Sequence, residues 1–119
     1  MQITSAVLVA FLGATSVSAT CNEGGLKWAE QSNALYHIGR ACRGYDGKAG
    51  AFQGYFNPDQ MKQACVNGVQ DTYYIFQIRN QNQNAGFDLG DDDCDLRLGN
   101  LVRGCSRGGQ DSIAGWFFQ

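Results

Sequence analysis

The segment 91–105 has the clearest helical periodicity in the chain. Apolar or sulfur-bearing side chains recur there at intervals of three or four residues, which is the spacing of one helix face. These inward positions are Cys94, Leu98, Leu101, Val102 and Cys105. The aspartates at its start predict N-cap and first-turn carboxylates at the positive end of the helix dipole, and Gly104 predicts its end. The pattern therefore predicts a short helix whose buried stripe begins and ends in cysteine.

A second helix is predicted earlier in the chain, over 23–42. Arg40 falls on its solvent side, and Gly44 is predicted to end it. The glycine-rich segment 44–50 that follows lacks the features of a phosphate-binding loop, so a turn is predicted there. The inward stripe of this helix consists of Trp28, Ala34, Leu35, Ile38, Ala41 and Cys42.

Strands are predicted between and after the two helices. The segment 72–79 gives the strongest signal, because β-branched and aromatic residues fill it. Both of its faces carry apolar side chains, which predicts a central strand that is covered on both faces. Further strands are predicted at 51–56, 61–66, 87–89 and 113–118, with connections at 57–59, 80–86 and 106–110.

The order of these elements predicts the fold class. Strands joined by short turns, with one helix before them and one helix before the last strand, are typical of an α+β fold. We expect an antiparallel β-sheet of about four to five strands packed with two helices, stapled by disulfides.

The N-terminal residues differ from the rest of the chain in carrying no charged side chain. An apolar run over 6–12 and small residues at 17–19 predict a secretory signal peptide over 1–19, even though Lys and Arg are lacking near its start. This run is too short to span a membrane, and no later run is long enough. We therefore expect a secreted, extracellular protein in which 20–119 form a single domain.

Cysteine usage and charge narrow the class of protein further. All five cysteines follow residue 20, where an oxidising compartment favours disulfides, and their odd number leaves one over. His37 is the only histidine and no Cys-x-x-Cys motif occurs, so we expect no metal site and no cofactor. A net charge of −2 with nine scattered Lys and Arg gives no indication of nucleic acid or an anionic membrane as a partner.

Groups that could perform catalysis do not converge in the sequence. Along a helix, His37 would lie roughly 10 Å from Glu30, so the two cannot form an acid–base pair. No serine stands in a Gly-x-Ser-x-Gly nucleophile elbow. The aspartates at 91–95 lack the glycine turn and distal glutamate of an EF-hand, so dipole capping is preferred over calcium binding. A non-enzymatic protein is expected.

Side chains suited to glycan recognition are abundant outside the helix stripes. Aromatic faces pack on the C–H surfaces of sugars, while planar amides and guanidinium groups bind their hydroxyls. Ordinary sheet packing and loop polarity explain each such residue equally well when it is taken alone. The candidate glycan-binding residues are Tyr73, Asn82, Gln83, Arg107, Gln110 and Trp116.

Several motifs together resemble one family of small secreted fungal proteins. The string from Asp93 to Cys105, followed by Gly108-Gly109 and Ala114-Gly115-Trp116 and preceded by Ala41-Cys42-Arg43-Gly44-Tyr45, is similar to glycan-binding lectins of the mushroom type. Relatives of that family include cell-death elicitors of plant-pathogenic fungi. The resemblance implies an α/β/α sandwich and partners that are glycans or cell-surface glycoproteins. It also allows a homodimer that joins sheet edges.

A more distant similarity is to the killer toxins of smut fungi, which block calcium channels. The shared order is a cysteine-bearing helix, strands, a helix framed by Cys94 and Cys105, and then Ala-Gly. This resemblance implies the disulfides Cys21–Cys105 and Cys42–Cys94. In the toxins, the cysteine that matches Cys65 pairs with one near the C-terminus that this chain lacks, so Cys65 is left free, buried or intermolecular. An effector, elicitor or killer-toxin-like protein acting on a host protein or ion channel is therefore the alternative function.

Overall fold

The computed structural model describes residues 19–119, so the predicted signal peptide over 1–19 lies outside the described residues except for its last position. Two α-helices are described, α1 (Gln31–Arg43) and α2 (Asp91–Gly104). The strands are β1 (Thr20–Cys21), β2 (Tyr55–Phe56), β3 (Met61–Asn67), β4 (Tyr73–Asn80), β5 (Phe87–Asp88), β6 (Gly109–Ile113) and β7 (Trp116–Phe118).

Five of the strands form one antiparallel sheet in the order β1-β6-β7-β4-β3. The short strands β2 and β5 pair with each other in a separate two-stranded sheet. The strand with the strongest sequence signal, β4, lies inside the large sheet between β7 and β3, as predicted. The expected fold class, an antiparallel sheet packed with two helices and joined by disulfides, is confirmed.

Both helices pack on the same face of this sheet. Alternate residues of β4, Tyr74, Phe76 and Ile78, lie beneath the helices and are at most 4% exposed. On the other face Tyr73 is 65% exposed and Ile75 is 47% exposed. The prediction that β4 is covered on both faces is therefore wrong within residues 19–119, where the architecture has two layers. The sequence pattern predicted coverage of both faces because the open face of β4 also carries apolar side chains.

The predicted first helix, over 23–42, begins later than expected because the chain before it pairs with the loop after α2. The amide of Asn22 donates a hydrogen bond to the carbonyl oxygen of Gly108 at 2.8 Å, and the amide of Trp28 donates to that of Ser106 at 3.1 Å. These bonds hold an extended arm beside the sheet. Trp28 packs against the core, as its place in the stripe predicted, but it does so from this arm.

The predicted final strand, over 113–118, is a hairpin of β6 and β7. Ala114 and Gly115 have φ angles of 52° and 83°, and two successive residues at positive φ form the tight turn that reverses the chain. The predicted connection over 106–110 also contributes its last two residues to β6. The segment 51–56 forms only two residues of strand, because the chain turns first and places Phe52 in the core.

Two disulfides fasten α2 at its two ends. Cys42 at the end of α1 is bonded to Cys94 in the first turn of α2, and Cys21 in β1 is bonded to Cys105 just after α2. This is the pairing that the similarity to killer toxins implies. Cys65 is unpaired and exposed on β3. The helix with the clearest periodicity is thus tied covalently to α1 and to the N-terminal strand.

Two aspartates near the start of α2 lie beside the end of α1. Arg43 forms ion pairs with Asp92 at 2.7 Å and with Asp95 at 2.9 Å. The N-cap residue is Gly90 and makes no side-chain capping bond, so the predicted aspartate N-cap is wrong, although the first-turn carboxylates are present. Because the side chains of these ion pairs are partly or largely exposed, the pairs contribute little to stability beside the neighbouring disulfide.

Candidate binding cleft

The large sheet has a gap where β7 ends. The backbone of β7 pairs with β4 from Ile78 to Asn80, and the amide and carbonyl of Gln119 pair with those of Gln77. Among residues 19–119, no strand neighbours the first half of β4 on that side. A cavity of about 320 Å³ opens there, between β4 and the loop that leads into β6. We call it the sheet cleft.

The floor of the sheet cleft is apolar because the inward face of α2 passes beneath the gap. Leu98, Leu101 and Val102 of α2 line it and are at most 5% exposed. On the side of the N-terminal arm, the ring of Trp28 stacks on Phe76 with a centroid distance of 6.2 Å and an interplanar angle of 19°. The aromatic pair continues the apolar lining from the helix layer up to the sheet.

Several contacts fix the position of the Trp28 ring. Its indole N–H donates a hydrogen bond to the carbonyl oxygen of Cys105 at 2.8 Å, and its ring meets Tyr74 in an edge arrangement at 5.5 Å. A Cβ on Gly108, whose φ is 78°, would lie 3.4 Å from the indole. That distance is an ordinary van der Waals contact, so the positive φ rather than lack of space favours glycine at this position, and the ring is held in place before any ligand arrives.

The rim of the sheet cleft is polar. The Nε of Arg107 donates a hydrogen bond to the carbonyl oxygen of Gly25 at 3.1 Å, and the Nδ2 of Asn22 donates to the carbonyl oxygen of Arg107 at 3.2 Å. These bonds orient the arginine and use one of the five N–H donors of its guanidinium group. Gln77 and Gln119 complete the rim, and the Nε2 of Gln77 also donates a hydrogen bond to the Oε1 of Gln63 at 2.8 Å.

The candidate glycan-binding residues do not form one surface. Arg107 lines the sheet cleft. Trp116 is half-buried and packs edge-on against Phe56 at 5.0 Å, on the helix side of the sheet. Tyr73 projects from the open face, and Gln110 is exposed on β6 where it pairs with Thr20.

The two candidates from the loop 80–86 lie elsewhere. The Oδ1 of Asn82 accepts hydrogen bonds from the amides of Asn84 and Ala85, both at 2.9 Å, so this side chain holds its own loop. Gln83 lines a depression of about 280 Å³ together with Asp59 and Arg79, which form an ion pair at 3.0 Å.

Sequence reasoning missed most of the cleft. Asn22, Gln77 and Gln119 were not candidates, and Trp28 was assigned to a helix stripe. Their convergence depends on where β7 stops and on the arm that pairs with the loop after α2. Of the missed residues, Trp28 carries a sequence signal, as a large aromatic residue three positions after a pair of glycines.

His37, the only histidine, lies outside the cleft on α1. Burial lowers the pKa of its imidazole from 6.5, and the positive charge of Arg40 lowers it further. Its ring contacts those of Tyr36 at 5.2 Å and Tyr74 at 6.2 Å. Within residues 19–119, no group of three His, Cys, Asp or Glu side chains could hold a metal ion. In the same range, no helix has the length and apolar character needed to cross a membrane.

The lowered pKa of His37 predicts a pH effect on stability. Above pH 6.5 the imidazole is neutral in both the folded and the unfolded state, but below it the unfolded state binds the proton first. Stability should therefore fall more steeply in the native chain than in His37→Gln as the pH drops from about 7.5 to about 5. Urea unfolding midpoints across this range measure the difference, and parallel curves would contradict the prediction.

The chain matches no protein-family model, and neither a curated protein nor a solved structure is significantly similar to it.

Proposed function

We propose that this protein is a secreted, non-enzymatic binding protein that recognises cell-surface glycans through the sheet cleft. The observation that supports this most is the composition of the cleft, in which an ordered aromatic pair and an apolar floor lie beneath a rim of amides and a guanidinium group. Among the described residues that line the cleft, Arg107 is the one with a charged side chain.

The chemistry of a sugar ring suits such a cleft. Its C–H face packs on aromatic and aliphatic surface, while its hydroxyls need donors and acceptors such as those of Gln77, Arg107 and Gln119. The volume of about 320 Å³ lies at the lower end of the range for small-molecule sites. A single sugar unit, at the end of a longer chain or as part of one, is the ligand of this size that we propose.

Secretion is part of the same proposal. The uncharged, apolar N-terminal segment is typical of a signal peptide, and two disulfides are compatible with an oxidising extracellular compartment.

A glycan array probed with the disulfide-bonded chain tests the proposal directly. We expect binding to a defined group of glycans, and we expect Arg107→Gln to weaken it about tenfold or more, because a charge-assisted hydrogen bond is lost. Arg40→Gln is the matched control, because Arg40 lies on α1 and does not line the cleft. Absence of binding across the array, or equal binding by both variants, would contradict glycan recognition at the sheet cleft.

A second function is favoured by the disulfides. Their pairing is the one that the similarity to smut-fungus killer toxins implies, so an effector or toxin that acts on a host protein or ion channel is the alternative. Purified protein applied to plant tissue or competitor fungi would then cause necrosis or growth arrest. Insensitivity of this effect to added carbohydrates would favour the alternative over a lectin.

A further inference from the structure

Strand β3 leaves one edge of the large sheet unpaired within residues 19–119. Its ladder with β4 is bounded by the amide of Gly68, which donates to Thr72, and by the amide of Asn80, which donates to Gln60. Because hydrogen-bonded pairs alternate in an antiparallel ladder, positions 62, 64 and 66 bond to β4 and positions 61, 63, 65 and 67 direct their backbone groups outward. With respect to residues 19–119, the outer edge thus offers a row of unpaired backbone donors and acceptors over the length of a whole strand.

A groove of about 510 Å³ runs beside this edge. One wall is β3 itself, from Gln63 to Val66, and the other is the second half of α1 with the loop that follows it. His37 and Arg40 of α1 and Tyr45 of the loop reach the groove. An added strand would therefore lie against side chains as well as against backbone.

Arg40 is fixed in this groove by two tyrosines. Its Nη1 donates a hydrogen bond to the hydroxyl of Tyr36 at 2.8 Å, and its Cζ lies 3.8 Å from the ring centroid of Tyr45. No carboxylate of residues 19–119 lies within ion-pair distance of it, whereas Arg43 and Arg79 are both paired with aspartates. The groove therefore holds an oriented positive charge, with further N–H donors, that has no anionic partner in the described chain.

We propose that the β3 edge binds an extended, acidic segment of a partner protein by strand addition. The backbone of that segment pairs with the outward groups of β3, and one of its Asp or Glu side chains enters the groove and bonds to Arg40. Main-chain pairing supplies affinity in this mode of recognition, and the side-chain pocket supplies specificity. This site is separate from the sheet cleft, and the proposal does not depend on glycan binding.

The charge of the groove argues for an acidic partner rather than for a second copy of this chain. A symmetric β3–β3 contact would bring together two copies of the segment Met61 to Asn67, which contains one lysine and no carboxylate. It would leave both Arg40 side chains without a counter-ion. A homodimer through β3, which the resemblance to fungal lectins allows, is therefore an alternative that the experiment below must distinguish.

A displayed library of random peptides, seven residues long to match β3, should be selected on the disulfide-bonded protein. We expect the enriched peptides to carry an Asp or Glu at one fixed position among β-branched residues. Binding of a synthetic, fluorescent representative should weaken about tenfold or more in Arg40→Gln and when its acidic residue is changed to the amide. Arg107→Gln should bind it as the native protein does. Two versions of the peptide, one methylated on its odd-numbered backbone nitrogens and one on its even-numbered ones, should differ. One should bind and the other should fail.

Cys65 provides an internal probe, because it lies on β3 among the residues that line the groove and its unpaired thiol is exposed. Bound peptide should slow its alkylation by iodoacetamide. Failure to enrich acidic peptides would overturn the proposal, and so would undiminished binding to Arg40→Gln. If sedimentation finds the free protein dimeric with Cys65 already protected, the edge belongs to a second copy and the proposal is wrong.

Discussion

Replacing Cys42 and Cys94 together by alanine is expected to lower the free energy of unfolding by about 4 kcal/mol, because this disulfide closes a long loop. The two residues are 52 positions apart in the chain, and their bond restricts the unfolded state over that whole distance. Both side chains are 1% exposed, so the substitution also removes packed sulfur from the core. Urea unfolding of the two proteins, followed by the tryptophan signal, measures the difference.

Cys65→Ala is the control for this experiment. Its thiol is exposed and unpaired, so its loss should change the free energy of unfolding by no more than about 0.5 kcal/mol. A double variant at Cys42 and Cys94 that is no less stable than the Cys65 variant would refute the role assigned to this bond. Alanine is preferred to serine at both buried positions, because a serine hydroxyl there would need a hydrogen-bond partner.

Gly50→Ala should destabilise the fold by about 3 kcal/mol or more, because a side chain at this position would clash with neighbouring backbone atoms. A Cβ would overlap the carbonyl oxygen of Ala41 and would lie 2.5 Å from that of Arg40. These are backbone atoms at the end of α1, and the amide of Phe52 already bonds to the carbonyl of Ala41 at 3.0 Å. Relief would require the loop and the helix end to separate, which would withdraw Phe52 from the core.

Gly39→Ala makes the matched comparison for Gly50→Ala. Gly39 lies in the middle of α1, and a Cβ there would meet no atom within 4 Å. Alanine should therefore stabilise the protein by about 0.5 to 1 kcal/mol through helix propensity. Two substitutions of the same kind, made eleven residues apart, should move the denaturation midpoint in opposite directions. Equal effects would mean that the loop after α1 does not pack as described.

The fold was predictable where local pattern and packing agree. Strand β4 is dense in β-branched and aromatic residues, and α2 repeats its apolar positions at helical spacing, so each element follows from its own residues. The hairpin of β6 and β7 was missed because Ala114 and Gly115 interrupt an apolar run without the Asn-Gly or Asp-Gly signal of such a turn. The arm that contains Trp28 was missed because its backbone bonds to a loop about eighty residues later, which no local pattern encodes.

The candidate sites were less predictable than the fold. Residue type suggested glycan chemistry, but Trp116 and Asn82 are engaged in packing and loop structure, while the cleft collects residues from both ends of the chain. The groove beside β3 had a detectable signal. Tyr36 and Arg40 are four residues apart on α1, the spacing at which helical side chains meet.

The order of the bridges along the chain has a consequence for resistance to proteolysis. Cys21–Cys105 encloses Cys42–Cys94, so the bridges are nested. If a protease cuts one peptide bond anywhere between Cys42 and Cys94, the two fragments remain joined by both bridges. The exposed residues 81–84, which follow β4, lie in that interval. A molecule cut once in this interval would therefore remain covalently joined by both bridges.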